Sequence, residues 1–149
     1  MGPRYELSRT LSSMPVALVT GANRGLGLEF ARQYLADGWQ VFPTCRDPAA
    51  ANELQRLTQK AGGKAAIVAM DVTDAKSVRA AAAQVGDARI DLLLNCAGIT
   101  GVSGQKVGKV NYDSWARVLD VNTMGPLRVI PRCGTCRRPK SFKLNYRSK

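Results

Sequence analysis

The eight residues Thr20–Gly27, Thr-Gly-Ala-Asn-Arg-Gly-Leu-Gly, constrain this chain more than any other stretch. An apolar run, Val16-Ala17-Leu18-Val19, precedes them, and an amphipathic segment, Leu28-Glu29-Phe30-Ala31-Arg32-Gln33-Tyr34-Leu35, follows. The order is strand, glycine turn, helix. Glycine lets the main chain come close to a ligand with no side chain in the way. The first N–H groups of the helix have no intrahelical partner and carry partial positive charge, so a phosphate is at home there. The spacing is Gly-x-x-x-Gly-x-Gly, not the commoner Gly-x-Gly-x-x-Gly. By itself such a turn also serves as a tight connection, so the rest of the chain has to decide.

The strand–helix alternation recurs. Pattern and turn residues predict a first strand over 15–20 and a helix over 25–37 closed by Gly38. A second strand over 40–45 follows. Asp47-Pro48 is then expected to open a helix running to about Ala61, with Asp47 as its cap and proline at its first position. Gly62-Gly63 ends it. A third strand is expected over 65–70, a helix capped by Asp74 over 75–85, and a fourth strand over 90–94, apolar apart from Asp91, as for a parallel strand covered on both faces. A glycine-rich loop over 98–108 leads to a helix over 113–129. Four alternations argue for an α/β fold with a parallel sheet. Pro43 is the discordant residue: inside an interior strand it removes a ladder hydrogen bond, so either a bulge or a local loss of pairing is expected there.

Composition sets the class. A chain of 149 residues allows one domain with a modest core. No apolar run approaches the roughly 20 residues of a membrane helix, and Met14–Thr20 leads directly into the glycine turn, so it is expected to be a strand, not a secretory leader. Four cysteines in such a chain point to reduced thiols and a cytoplasmic setting. The net charge of +11 resembles a nucleic-acid signal until it is located. Seven of the 22 Lys and Arg lie past Pro131, no acid follows Asp120, and the remainder balances 15 bases against 11 acids. The body is only mildly basic, which sets nucleic acid aside as the main partner.

Four stretches now line up in order: Thr20–Gly27, Asp71-Val72-Thr73, Asn95-Cys96-Ala97-Gly98 and Val121-Asn122-Thr123-Met124-Gly125. Together they resemble the short-chain dehydrogenase/reductase superfamily, and their wording is most similar to its carbonyl-reductase and C-factor-like members. The resemblance covers residues 15–130. It implies a Rossmann-like doubly wound parallel sheet, here the N-terminal part with about four strands and flanking helices. It also implies an oxidoreductase that interconverts carbonyls and alcohols by hydride transfer with a dinucleotide, usually as an oligomer.

Carried over residue by residue, the resemblance makes Gly21, Gly25 and Gly27 the pyrophosphate turn, with Asn23 and Leu26 in the same loop. Asp71 and Val72 match positions that contact the adenine, and Asn95, Ala97 and Gly98 the segment that passes the ribose. Cys96 replaces the second Asn of that motif. Asn122 matches the catalytic Asn that holds a water for a proton relay. Cofactor choice is read from charge. An NAD site places an acid at the end of the second strand to accept from the ribose 2′-hydroxyl; here Thr44-Cys45 are neutral, Arg46 follows, and Arg24 sits in the glycine turn. Two guanidinium groups suit a 2′-phosphate, so NADP(H) is favoured over NAD(H). No metal site is expected, because the chain has no His and its single Cys-x-x-Cys, Cys133 to Cys136, lacks a second pair.

The family's proton donor is a Tyr with a Lys four residues on, together with a Ser. Of Tyr5, Tyr34, Tyr112 and Tyr146, none has Lys at that spacing. The expectation is therefore a truncated chain, silent in catalysis on its own. Residues 1–13 are expected to be a loose extension, with Met14 an alternative start, and residues 131–149 a basic, disordered tail joined out of frame.

Overall fold

The computed structural model describes residues 14–132. The expectations for the extension at 1–13 and for nearly all of the tail, Cys133 and Cys136 included, lie outside these residues. Four parallel strands, β1 Val16–Thr20, β2 Gln40–Cys45, β3 Val68–Ala69 and β4 Leu92–Asn95, form one sheet in the order β3-β2-β1-β4. The helices are α1 Gly25–Ala36, α2 Asn52–Lys60, α3 Ala75–Val85 and α4 Tyr112–Leu119, followed by a π-helical turn Asp120–Met124 and α5 Gly125–Val129. This is the expected doubly wound α/β arrangement.

β1 is central, and all five of its residues are buried. Alternation along the strand divides them between two cores. Val16 and Leu18 pack with Phe42, Val68, Val78 and Val129 beneath α3 and α5. Ala17 and Val19 pack with Ala31, Val41 and Leu54 beneath α1 and α2. A strand covered on both faces is apolar along most of its length, here Val16–Val19, which is why its sequence does not alternate. Burying a side chain such as the fully enclosed Leu18 is worth about 1.5–3 kcal/mol.

Pro43 causes no bulge. It keeps register with Val19 of β1, and the loss of pairing falls on the other side. The backbone groups of Val41 and Cys45 face the third strand: Val41 N–H donates to the Lys64 carbonyl, and Met70 N–H donates to the Cys45 carbonyl. Strand alternation turns the position of Pro43 the same way, so its missing N–H faces the third strand. There the ladder is interrupted, with an isolated bridge at Ala65 and true pairing only at Val68–Ala69. That interruption shortens β3 from the expected 65–70.

Three further expectations need correction. Asp47 does not cap α2; its Oδ1 accepts from the Ala49 and Ala50 N–H groups in a separate turn, and Ala51, at ψ 60, breaks the chain before α2 starts at Asn52. β4 begins at Leu92 and not at Ile90, and its three leucines are half-buried; among the described residues it pairs on one side only, with β1. The helix expected over 113–129 is interrupted by the π turn. Pro126 explains this: it has no N–H to give the Asn122 carbonyl four residues back, and Gly125 N–H bonds instead to the Asp120 carbonyl five residues back. α3, capped by Asp74 accepting from Lys76 N–H, has the expected bounds. Among the described residues no helix is long and apolar enough to cross a membrane.

Candidate functional site

The C-terminal ends of the four strands open onto a cleft of about 550 Å³. Its floor is the glycine turn. Gly21 sits at φ 65, and a Cβ there would stand 2.6 Å from Ala97 Cα and 2.8 Å from Ala97 N. The Ala97 segment is itself tied down, its N–H donating to Thr20 Oγ1 at 3.0 Å. A Cβ on Gly27 would overlap the Gly21 carbonyl, so α1 packs directly on the turn. Gly25 differs: at φ 57 it has nothing within 4 Å of its Cβ position. Space therefore opens where α1 begins, and the residue before it, Arg24, makes no side-chain capping bond to the first N–H groups. A helix start with free N–H groups facing a cleft is an anion site by its electrostatics.

Of the residues singled out from sequence, Gly21, Asn23, Arg24, Gly25, Leu26, Gly27, Arg46, Asp71, Val72, Ala97 and Gly98 all line this one cleft. Asn95 does not. It is exposed at the end of β4, in register with Thr20, while the neighbouring Cys96 lines the cleft. Asn122 stands one residue beyond the lining residue Val121 and is turned onto the main chain of Ile99. Its Oδ1 accepts from Ile99 N–H at 2.9 Å, and its Nδ2 donates to the Ile99 carbonyl at 3.0 Å. Both halves of the amide are committed to holding that loop.

Asp71 closes the turn after β3. Its Oδ1 accepts from Thr73 N–H at 2.9 Å and from Thr73 Oγ1 at 2.7 Å, while Ser77 Oγ accepts from Asp71 N–H at 2.9 Å. Burial pushes the Asp71 carboxyl up, but the two hydrogen bonds from Thr73 and the charges of Arg46 and Arg117 outweigh it and hold the group below its ordinary 3.8. The ionised form is thus favoured by folding. Its contribution to stability is present above the ordinary value and is lost as pH falls through the lower folded value. Asp71→Asn should therefore flatten the acid limb of the stability–pH curve, read from melts between pH 2 and 5. An unchanged acid limb would mean the turn does not contribute.

Sequence reasoning missed Arg117, Met70, Thr73 and Ile99, which also line the cleft. Arg117 is the important one. It lies on α4 one turn before Val121, so the two share a helix face towards the cleft. Arg24, Arg46 and Arg117 form no salt bridge among the described residues; those present join Arg32 to Glu29, Arg89 to Asp91 and Arg128 to Asp120. Two thiols, Cys45 and Cys96, also face the cleft, and burial pushes both up, so they are poor nucleophiles. Among the described residues no cluster of acids, histidines or cysteines could hold a metal ion.

The profile of the short chain dehydrogenase family matches residues 15–134. The chain belongs to that family. Among its relatives in the family, human retinol dehydrogenase 5 is 34% identical over 131 residues, covering 83% of this chain and 40% of that protein. The short-chain reductase protein NovJ of Streptomyces niveus is 36% identical over 120 residues, covering 79% and 45%. NADPH-bound carbonyl reductase from chicken fatty liver superposes with a TM-score of 0.73 at 38% identity, over 80% of this chain and 50% of that one. A carbonyl reductase from Pseudomonas aeruginosa PAO1 in complex with NADP gives 0.74 at 33% identity, over 80% and 55%. The chain thus spans less than half the length of these two relatives, and about half that of the two structures.

Proposed function

We propose that residues 14–130 bind NADP(H) in this cleft as the nucleotide-binding part of a short-chain oxidoreductase acting on small carbonyl or alcohol substrates in a reducing, cytoplasmic setting. The observation that carries the cofactor reading is the distribution of charge at the end of β2. Arg24 and Arg46 line the cleft with no salt-bridge partner among the described residues, while the nearby acid, Asp47, is spent on the N–H groups of Ala49 and Ala50. One oxygen of that carboxylate is thus committed to the turn, and two guanidinium groups are strong donors to a 2′-phosphate.

The residues present fit the nucleotide. Gly21, Gly25 and Gly27, with Asn23, Leu26 and the start of α1, would hold the pyrophosphate in the space that the missing Cβ of Gly25 leaves open. Asp71 and Val72 would face the adenine, with Ala97 and Gly98 along the ribose. Bound NADPH supplies the hydride. Asn122 keeps the Ile99 loop in place, and its main-chain carbonyl, which receives no N–H from Pro126, would hold the water of a proton relay.

Titration of the 149-residue chain with NADPH and NADH, followed by quenching of Trp39 and Trp115, tests the reading. NADPH is expected to bind at least about tenfold more tightly, a difference of 1.4 kcal/mol. Equal affinities would remove the NADP(H) preference, and no binding would remove the site. A second reading, a nucleotide-binding module without turnover, is favoured by the tyrosines. Tyr34 is packed edge-on against Trp39, Tyr112 is exposed on α4, and neither has Lys four residues on. Oxidation of NADPH on addition of a ketone separates the two.

A further inference from the structure

The π turn Asp120–Met124 joins two cleft loops that leave different strands. On one side Asn122 holds Ile99, beyond β4. On the other, Gly125 presses on Val72, where a Cβ would stand 2.9 Å from Cγ2. Arg128 then crosses the junction. Its Nη1 donates to the Val72 carbonyl and to the Asp120 carbonyl, each at 3.3 Å, and its Nη2 meets Asp120 Oδ1 at 2.5 Å. Val72 and Ile99 line the cleft; Arg128 does not. The Arg128 side chain is 29% exposed and that of Asp120 39%, less than the 58% and 44% of the Arg32–Glu29 pair on α1.

Building on the nucleotide-binding reading, we infer that Arg128 is a positioning residue that sets the adenine side of the cleft, by bracing the π turn between the Val72 loop and the Ile99 loop. The Asp120 carbonyl already accepts from Gly125 N–H, so the π turn does not need Arg128 to satisfy it. What the arginine adds is the link from that turn to Val72. The link requires a planar fork that reaches two carbonyls and a carboxylate together, and lysine, a single point charge, cannot provide one. Charge alone should therefore not rescue the brace.

The test compares Arg128→Lys and Arg128→Met in the full chain by hydrogen exchange at the Ile99 N–H and by NADPH titration. Ile99 exchange is expected to rise about tenfold in both variants, though Arg128 does not touch that residue, and the NADPH dissociation constant to rise by a similar factor. Arg32→Met, which breaks an exposed pair within α1, should alter neither. Should Arg128→Met fail to fold, Asp120→Asn takes its place, with a smaller rise expected. Unchanged Ile99 exchange in folded variants overturns the brace. Should the parent chain bind no NADPH, the nucleotide reading falls, while Ile99 exchange still decides the brace.

Discussion

Gly21→Ala is expected to abolish NADPH binding and to lower the melting temperature by roughly ten degrees, on the order of 2–5 kcal/mol in a small domain. Two costs add. At φ 65 an alanine is strained by about 1–2 kcal/mol. Its methyl would also sit 2.6 Å from Ala97 Cα and 2.8 Å from Ala97 N, and both are backbone atoms of a segment pinned to Thr20 Oγ1. Backbone held in this way cannot move aside as a side-chain end can, so overpacking adds about 1–3 kcal/mol. Gly25→Ala provides the contrast. It carries the same backbone strain at φ 57 but meets nothing within 4 Å. The fold should survive it with a loss of about 1–2 kcal/mol, while the methyl fills the space proposed for the phosphates and weakens NADPH binding. Thermal melts and NADPH titration of the two variants check this. If Gly21→Ala melts within two degrees of the parent, the contacts to Ala97 do not constrain the turn as described.

These two glycines show what sequence alone could and could not reveal. Their spacing announced the turn, and the apolar run before it announced a central strand, because a strand buried on both faces has no polar residue to break the run. The difference between a crowded Gly21 and an open Gly25 was not legible, since it depends on where the Ala97 loop returns, 76 residues later in the chain. Asp71 and Asn122 were legible by motif, but their partners were not: Thr73 and Ser77 are local, whereas Ile99 becomes a neighbour of Asn122 only when the loop after β4 lies against the π turn. Arg117 was missed because a cation on an amphipathic helix resembles any solvated side chain until the helix is docked. The π turn did leave a signal. Pro126 lies four residues after Asn122, and a proline inside a helical pattern denies one carbonyl its partner. Pro43 left a signal too, and read with strand alternation it locates the gap in β3.

The three arginines of the cleft should separate by nucleotide. Arg46→Ala and Arg24→Ala remove donors beside the end of β2, where a 2′-phosphate would lie. A hydrogen bond to a charged group contributes about 1.5–3 kcal/mol, so each variant should weaken NADPH binding by roughly ten- to a hundredfold and the double variant by more than a hundredfold. NADH carries no 2′-phosphate, and its affinity should move by less than about threefold, 0.7 kcal/mol. Arg117→Ala should behave differently. Arg117 comes from α4 and not from the glycine turn or the end of β2, so its loss should weaken NADPH and NADH to the same degree. Raising the ionic strength should reduce the NADPH advantage of the parent chain and leave that of the double variant unchanged, because solvent-exposed charges are screened over about 8 Å at physiological salt. Fluorescence titrations with both nucleotides at two salt concentrations check all of these together. Equal losses for NADPH and NADH in Arg46→Ala would show that this arginine does not distinguish them, and the NADP(H) preference would then have to be abandoned.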